Sequence, residues 1–306
     1  MILDRSIDLY ISMTWPVHKS VTHGVCGHIY EVIDYYLLLK DFYNVGILIG
    51  EEISYDYKEL VLYKYDLSES EIDRLIAKTI FANRPRFLIG ENILFVDGLL
   101  KKHFQEGGVT LRFKNILTFR CSPESDHENL QIENVTVLQD QRIYKDDKEI
   151  AVDYIKKINF SNLHKFETSV NNVAMIYGTG NCRAIQSEML FDILDKYCFD
   201  KYIYITNLTC DINHDKLEIY NPPVPRIFKQ FNTYIYTPIM KRFDCSPRFI
   251  AECDHYGKHV IYHDIDDEYL NTDLGLKYRK RDIQAGLNTI SLTHDDQIIE
   301  ILNEKI

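Results

Sequence analysis

The chain has 306 residues, 45% hydrophobic and 26% charged, with 22 Tyr and 15 Phe but only 13 Gly and 8 Pro. That composition excludes a peptide, a collagen-like repeat and a disordered chain, and it leaves room for a sizeable core and about two domains. Thirty-five basic against 46 acidic side chains leave a formal charge of −11, which disfavours a generic coat for nucleic acid, since such binding runs on phosphate neutralisation, and requires a local patch to grip any polyanion.

Short apolar runs alternate with amphipathic stretches, the pattern of β-α units feeding a largely parallel sheet. In the first half, residues 7–13 read as a strand, 25–42 as a helix and 44–49 as the next strand. Ser68-Glu69-Ser70-Glu71 has capping-box spacing and opens a helix through about residue 80. Strand-like runs follow at 86–89, 93–96, 115–120 and 134–138, then a polar stretch at 139–149 and a helical segment at 151–158.

The polar run 159–172 puts a domain boundary at about residue 160, giving two α/β domains over 1–160 and 161–306. In the second half, strands are expected at 172–177, 202–207, 233–237 and 258–262, and helices at 182–197 and 246–256. Further helical stretches are expected at a short segment ending near 231, at about 278–286 and at 294–303. No internal repeat of fixed period is present.

Seven scattered cysteines without a CxxC pair read as reduced thiols. Residues 1–13 lack the basic-then-apolar organisation of an export signal, and no run approaches the ~18 apolar residues of a membrane span. A cytoplasmic protein is the expectation, with no membrane partner.

The strand at 173–177 runs into Gly178-Thr-Gly180-Asn-Cys-Arg183, which sets small residues where backbone amides and a helix N-terminus can face a phosphate. An Arg at the third-glycine position of the dinucleotide fingerprint offers a fork of donors to anionic oxygens, which suits a nucleotide-sugar diphosphate better than NAD. A glycine-rich turn with a surface arginine is the alternative. Further on, Ser246 is a good N-cap and Pro247 suits the first helical position, so Arg248 and Glu252 project from one helix face. They can meet a diphosphate and ribose hydroxyls, or simply each other as an i,i+4 ion pair worth ~0.3–0.5 kcal/mol.

The strand, polar turn, helix with Arg248 and Glu252, and Gly257-Lys258 before an apolar strand resemble the donor-binding segment of GT-B glycosyltransferases. The resemblance implies two Rossmann-like domains with mainly parallel sheets facing across a cleft, an acceptor-binding one over 1–160 and a nucleotide-sugar-binding one with C-terminal helices over 161–306. It implies that Glu252 holds the donor ribose and that Arg248 and Arg183 hold the diphosphate, with Gly178, Gly180 and Ser246 beside them. Within that group the Tyr-, Lys- and Ile-rich texture is similar to the T-even-type phage enzymes that glycosylate hydroxymethylcytosine in DNA, which implies a UDP-sugar donor and action in a host cytoplasm.

Asp97, at the end of the strand-like run 93–96, is the expected general base, with His23 as the alternative. His18, Lys19, Lys101 and Lys102 are the candidate acceptor contacts. Arg112 with Lys114, and Lys277-Tyr-Arg279-Lys-Arg281, are further basic clusters able to touch duplex phosphates, from which a modified base would have to leave the stack. No tightly bound cofactor is expected. A divalent metal is possible, but no metal site is indicated: His255, His259 and His263 straddle a helix break, Asp211–Asp215 lacks the Gly and Glu of a calcium loop, and Asp264-Ile-Asp266 lies after the final strand. Other readings are a polysaccharide or small-molecule glycosyltransferase, a non-catalytic nucleotide-binding module, and an NAD-dependent oxidoreductase.

Overall fold

The computed structural model describes residues 1–13, 27–49, 57–82, 86–97, 110–120, 134–140, 147–153, 156–167, 170–178, 185, 187–206, 209–210, 212–221, 224, 226–237, 248–263, 270–271, 277–278 and 295–306. In chain order, the first half contains β1 (Leu9–Ser12), α1 (Gly27–Leu39), β2 (Val45–Ile49), α2 (Tyr57–Lys64), α3 (Glu69–Ala77) and β3 (Thr79–Phe81). It continues with β4 (Phe87–Phe95), β5 (Thr110–Phe119), β6 (Val135–Asp140) and β7 (Ile150–Val152). A short 3-10 turn at Phe160–Asn162 leads to β8 (Val173–Tyr177), α4 (Ser187–Lys196), β9 (Lys201–Ile205) and β10 (Leu217–Tyr220). After a second 3-10 turn, Ile227–Lys229, come β11 (Thr233–Tyr236), α5 (Arg248–His255), β12 (His259–Tyr262), the short β13 (Leu270–Asn271) and β14 (Lys277–Tyr278), and α6 (Asp295–Lys305).

Two parallel sheets organise the chain. The first has seven strands in the order β3-β2-β1-β4-β5-β6-β7, and the second has five in the order β10-β9-β8-β11-β12. Every pairing within both is parallel. Each sheet starts at a central strand, winds outward in one direction, then returns to the centre and winds the other way, so both are Rossmann-like units with one switch point: between β1 and β4, and between β8 and β11. The first sheet ends at Val152 and the second begins at Val173.

The strands are read nearly as expected because parallel strands covered on both faces are continuous apolar runs. β4 differs: the runs at 86–89 and 93–96 form one strand. Asn92 tolerates the interior position because its side-chain amide donates to the Asp8 carbonyl at 2.8 Å and its carbonyl accepts from Asn115 at 2.8 Å, its directly paired neighbour on β5. In place of the expected helix at 151–158 stand β7 and, at 156–158, irregular chain, since the β-branched Ile150 and Val152 add to the open edge beside β6. The expected helix to residue 80 stops at Ala77, and Thr79–Phe81 pairs with β2. α2 and β10 had no forecast.

α1 is buried almost all round, with Ile29, Val32, Ile33, Tyr35 and Leu39 in the main core. α6 was expected to belong to the second domain. It packs on the first instead: Ile298, Ile301 and Leu302 join the same core, Asn303 accepts from the Tyr43 hydroxyl at 2.6 Å, and Asp295 pairs with Lys157 at 2.5 Å. The second unit has its own cores on the two sheet faces, one around Phe228 and Phe231, the other under α4. No helix among the described residues is long and apolar enough to cross a membrane.

Candidate functional site

In open parallel sheets ligands bind beyond the carboxyl ends of the strands, at the switch point. At the first switch point stands Asp97, two residues past β4 and 9% exposed, with its carbonyl accepting from the Thr118 hydroxyl at 2.8 Å. The helix following β1 begins beside it. His28, in the first turn of α1, approaches the carboxylate of Glu31 at 2.7 Å through Nδ1. Glu31 is buried and His28 is a third exposed.

Burial disfavours the charged form of His28, but the carboxylates of Glu31 and Asp97 outweigh it and raise its pKa. Burial likewise opposes ionisation of Glu31, yet His28, Lys156 and Arg248 together draw its pKa down. His28, Glu31, Asp97 and Lys156 thus form one electrostatic cluster at the mouth of the first sheet. Sequence reasoning placed Asp97 there and missed Glu31 and Lys156. The available signal was Glu31 and Asp34 inside an otherwise apolar helix, where buried carboxylates require partners.

At the second switch point, Gly178 follows β8 and its amide donates to the Ile205 carbonyl at 2.9 Å. Gly180, Arg183 and Ser246 lie outside the described residues, as do His18, Lys19, His23, Lys101 and Lys102. Arg112 and Lys114 are exposed on the amino-terminal half of β5, away from the carboxyl edge.

α5 starts at Arg248, and Arg248 and Glu252 do share one face. That face points into the first unit. Arg248 Nε donates to Glu252 Oε1 at 2.7 Å, its Nη1 pairs with Asp34 of α1 at 2.5 Å, and Lys64 at the end of α2 pairs with Glu252 at 2.7 Å. The Tyr30 ring is shared, with Lys64 Nζ 4.0 Å and the Arg248 guanidinium carbon 5.6 Å from its centroid. Glu252 is 0% exposed. Burial would raise its pKa, but Lys64 and Arg248 hold it below the ordinary value.

The ribose contact implied for Glu252 is therefore replaced in this structure by protein cations that occupy both carboxylate oxygens. Arg248 retains one unengaged group: its buried Nη2 has no hydrogen-bond partner among the described residues.

These contacts also fix how the units meet. α1 starts at the carboxyl edge of the first sheet and α5 at that of the second, and a Cβ on Gly27 would lie 4.0 Å from the Arg248 side chain. Both switch points consequently open onto one seam. His255 stacks on Phe160 at 4.9 Å and the Tyr256 hydroxyl donates to the His164 carbonyl at 2.8 Å along it.

Among the described residues no group of three or more His, Cys, Asp or Glu side chains could hold a metal ion. Fold and seam define an α/β protein of two Rossmann-like parallel units. Comparison with protein-family models, curated proteins and solved structures finds no match for the chain.

Proposed function

We propose that the chain is a GT-B-type glycosyltransferase that moves a sugar from a UDP-sugar to a hydroxyl, with 5-hydroxymethylcytosine in double-stranded DNA as the acceptor. The observation that carries this reading is the convergence of two switch points, each a ligand position in its own sheet, on one seam. One unit can then hold the activated sugar and the other the hydroxyl that attacks it. Gly178, at the carboxyl end of β8, is on the donor side.

On the acceptor side Asp97 takes the hydroxyl proton as that oxygen bonds to the anomeric carbon. The bond from that carbon to the diphosphate breaks and UDP leaves with its electron pair. Asp97 lies close enough to His28 for its carboxylate to help raise the imidazole pKa, which puts a second polar group beside the base. The DNA acceptor rests on the sequence resemblance. A polysaccharide or small-molecule acceptor is the second reading, favoured by the net charge of −11.

Transfer of radiolabelled sugar from UDP-sugars is the test, with hydroxymethylated and unmodified DNA as acceptors. Label should enter only the modified DNA, and Asp97→Asn should lower turnover by about 10²–10⁴-fold. Release of UDP without labelled DNA would redirect the acceptor to the second reading, and no UDP release from any donor would refute the transferase.

A further inference from the structure

At the amino edge of the first sheet, away from the seam, β4 and β5 outrun their neighbours. Their paired segments Phe87–Gly90 and Thr110–Phe113 precede the point where β1 joins at Ile93. Residues 1–3 run alongside, with Ile2 bridging Ile89 and the Leu3 amide donating to the Ile89 carbonyl at 2.8 Å. Leu3, Leu88 and Phe113 turn to one side and join a buried cluster. Alternation along the strands sends Ile2, Phe87, Ile89 and Arg112 to the other side, in register: Ile2 opposite Ile89, and Ile89 opposite Arg112. That side is open, with Ile2 71% and Phe87 48% exposed, and with Arg112 and Lys114 exposed on β5.

Arg86, also exposed, leads into β4. Three cations therefore stand around this face without an ion-pair partner among the described residues, against one carboxylate on the two strands, Glu91. In a chain of net charge −11, unneutralised cations beside a bare aromatic ring mark where a polyanion can be gripped.

Size decides among polyanions. Strands about 4.8 Å apart and residues ~3.3 Å apart make this a patch of roughly 15 Å by 15 Å, a fraction of the ~800 Å² that each partner buries in a stable protein complex. An anionic bilayer would meet the rest of the acidic surface as well. A narrow strand meets only the patch, because charges beyond ~8–10 Å are screened. Bases reach Phe87 only when unpaired, since a duplex keeps their faces stacked.

We propose that this face binds single-stranded nucleic acid without sequence preference, with Arg86, Arg112 and Lys114 taking phosphates and Phe87 stacking a base. The site is separate from the seam and does not rest on the glycosyltransferase reading.

Fluorescence anisotropy of the full chain with a labelled oligothymidylate of about ten nucleotides tests it. The dissociation constant should be on the order of 10⁻⁵–10⁻⁴ M at physiological salt, and log affinity should fall against log salt with a slope of about −2, the value for three phosphate contacts on a single strand. Arg112→Gln should make that slope shallower by about 0.7, and Arg112→Lys should keep it. Phe87→Ala should weaken binding about tenfold at unchanged slope, a separation that loss of structure does not produce. Annealing the probe to oligodeoxyadenylate should abolish the effect of Phe87→Ala. No binding at low salt, or an effect of Phe87→Ala that survives in the duplex, overturns the proposal. Binding unchanged in both Arg112→Gln and Phe87→Ala overturns it too and places the strand elsewhere, such as the seam. Poly-glutamate that binds as tightly as the oligonucleotide, and equally to Phe87→Ala, makes the face a contact for an acidic protein. Pelleting with phosphatidylserine vesicles in the absence of oligonucleotide binding makes it a membrane contact. Either result replaces the nucleic acid.

Discussion

Arg248 and Glu252 illustrate how burial changes the value of one pair. On an exposed helix face an i,i+4 ion pair is worth ~0.3–0.5 kcal/mol. Here the pair is enclosed and tied to Asp34 and Lys64 on two other helices. Removing one member strands a charge where water cannot reach it, which costs about 3–5 kcal/mol. Glu252→Ala should therefore lower the unfolding free energy by about that amount in urea titration, whereas Glu252→Leu combined with Lys64→Met should be milder than Glu252→Leu alone, since the cation is removed as well.

The same carboxylate sets an acid limit. Its folded pKa lies below 4.5, so the stability it contributes is present above that value and lost as pH falls through the lower, folded value. Glu31 adds to the same slope. His28 acts in the opposite sense: its folded pKa lies above 6.5, so its contribution is full below 6.5 and fades as pH rises past the folded value. Asp34, in the same cluster, opposes this acid slope, because burial raises its folded pKa above 3.8. Unfolding free energy measured across pH should fall as pH rises past the folded pKa of His28, and His28→Gln should remove that decline.

At the scale of elements, α3 carries the most explicit local instruction. Ser68 accepts from the Glu71 amide while Glu71 accepts from the Ser68 amide at 3.0 Å, a closed capping box. Ser68→Ala should cost about 1 kcal/mol by denaturant unfolding. Strand pairing imposes a stricter limit at Gly46, whose paired neighbour on β1 is Tyr10. A Cβ there would lie 2.7 Å from the Tyr10 ring, so Gly46→Ala should destabilise by about 1–3 kcal/mol through overpacking. Gly257 differs: no atom lies near its Cβ position, but φ is +63° after α5, so Gly257→Ala should cost about 1–2 kcal/mol from backbone strain alone.

The buried ion cluster between α1, α2 and α5, the contacts of His255 and Tyr256 with Phe160 and His164, and the return of α6 to the first unit all join the molecule. Leu302, fully enclosed in the first core, should lose about 2–5 kcal/mol as Leu302→Ala. Because the ion cluster couples the units, Leu302→Ala and Glu252→Ala should each lower one shared unfolding transition, seen alike by amide exchange in β1 and in β8. Separate transitions for the two sheets would show that the seam transmits little.

The central strands of both sheets, the helices that follow β1, β8 and β11, and the capping box were legible in the amino-acid sequence, since each depends on residues a few positions apart, whereas α2, β3, β7 and β10 were not, because edge pairing supplies what their short runs lack. Asp97 at a strand end was legible for the same reason. The spacing of Arg248 and Glu252 was legible too, but it left two readings open: a grip on ligand oxygens or a pair with each other. Only the tertiary structure decided that their face turns inward, because the choice depends on Asp34 and Lys64, about two hundred residues away, arriving opposite that helix. It also decided that α6 packs on the first sheet, since docking of distant apolar faces has no local code.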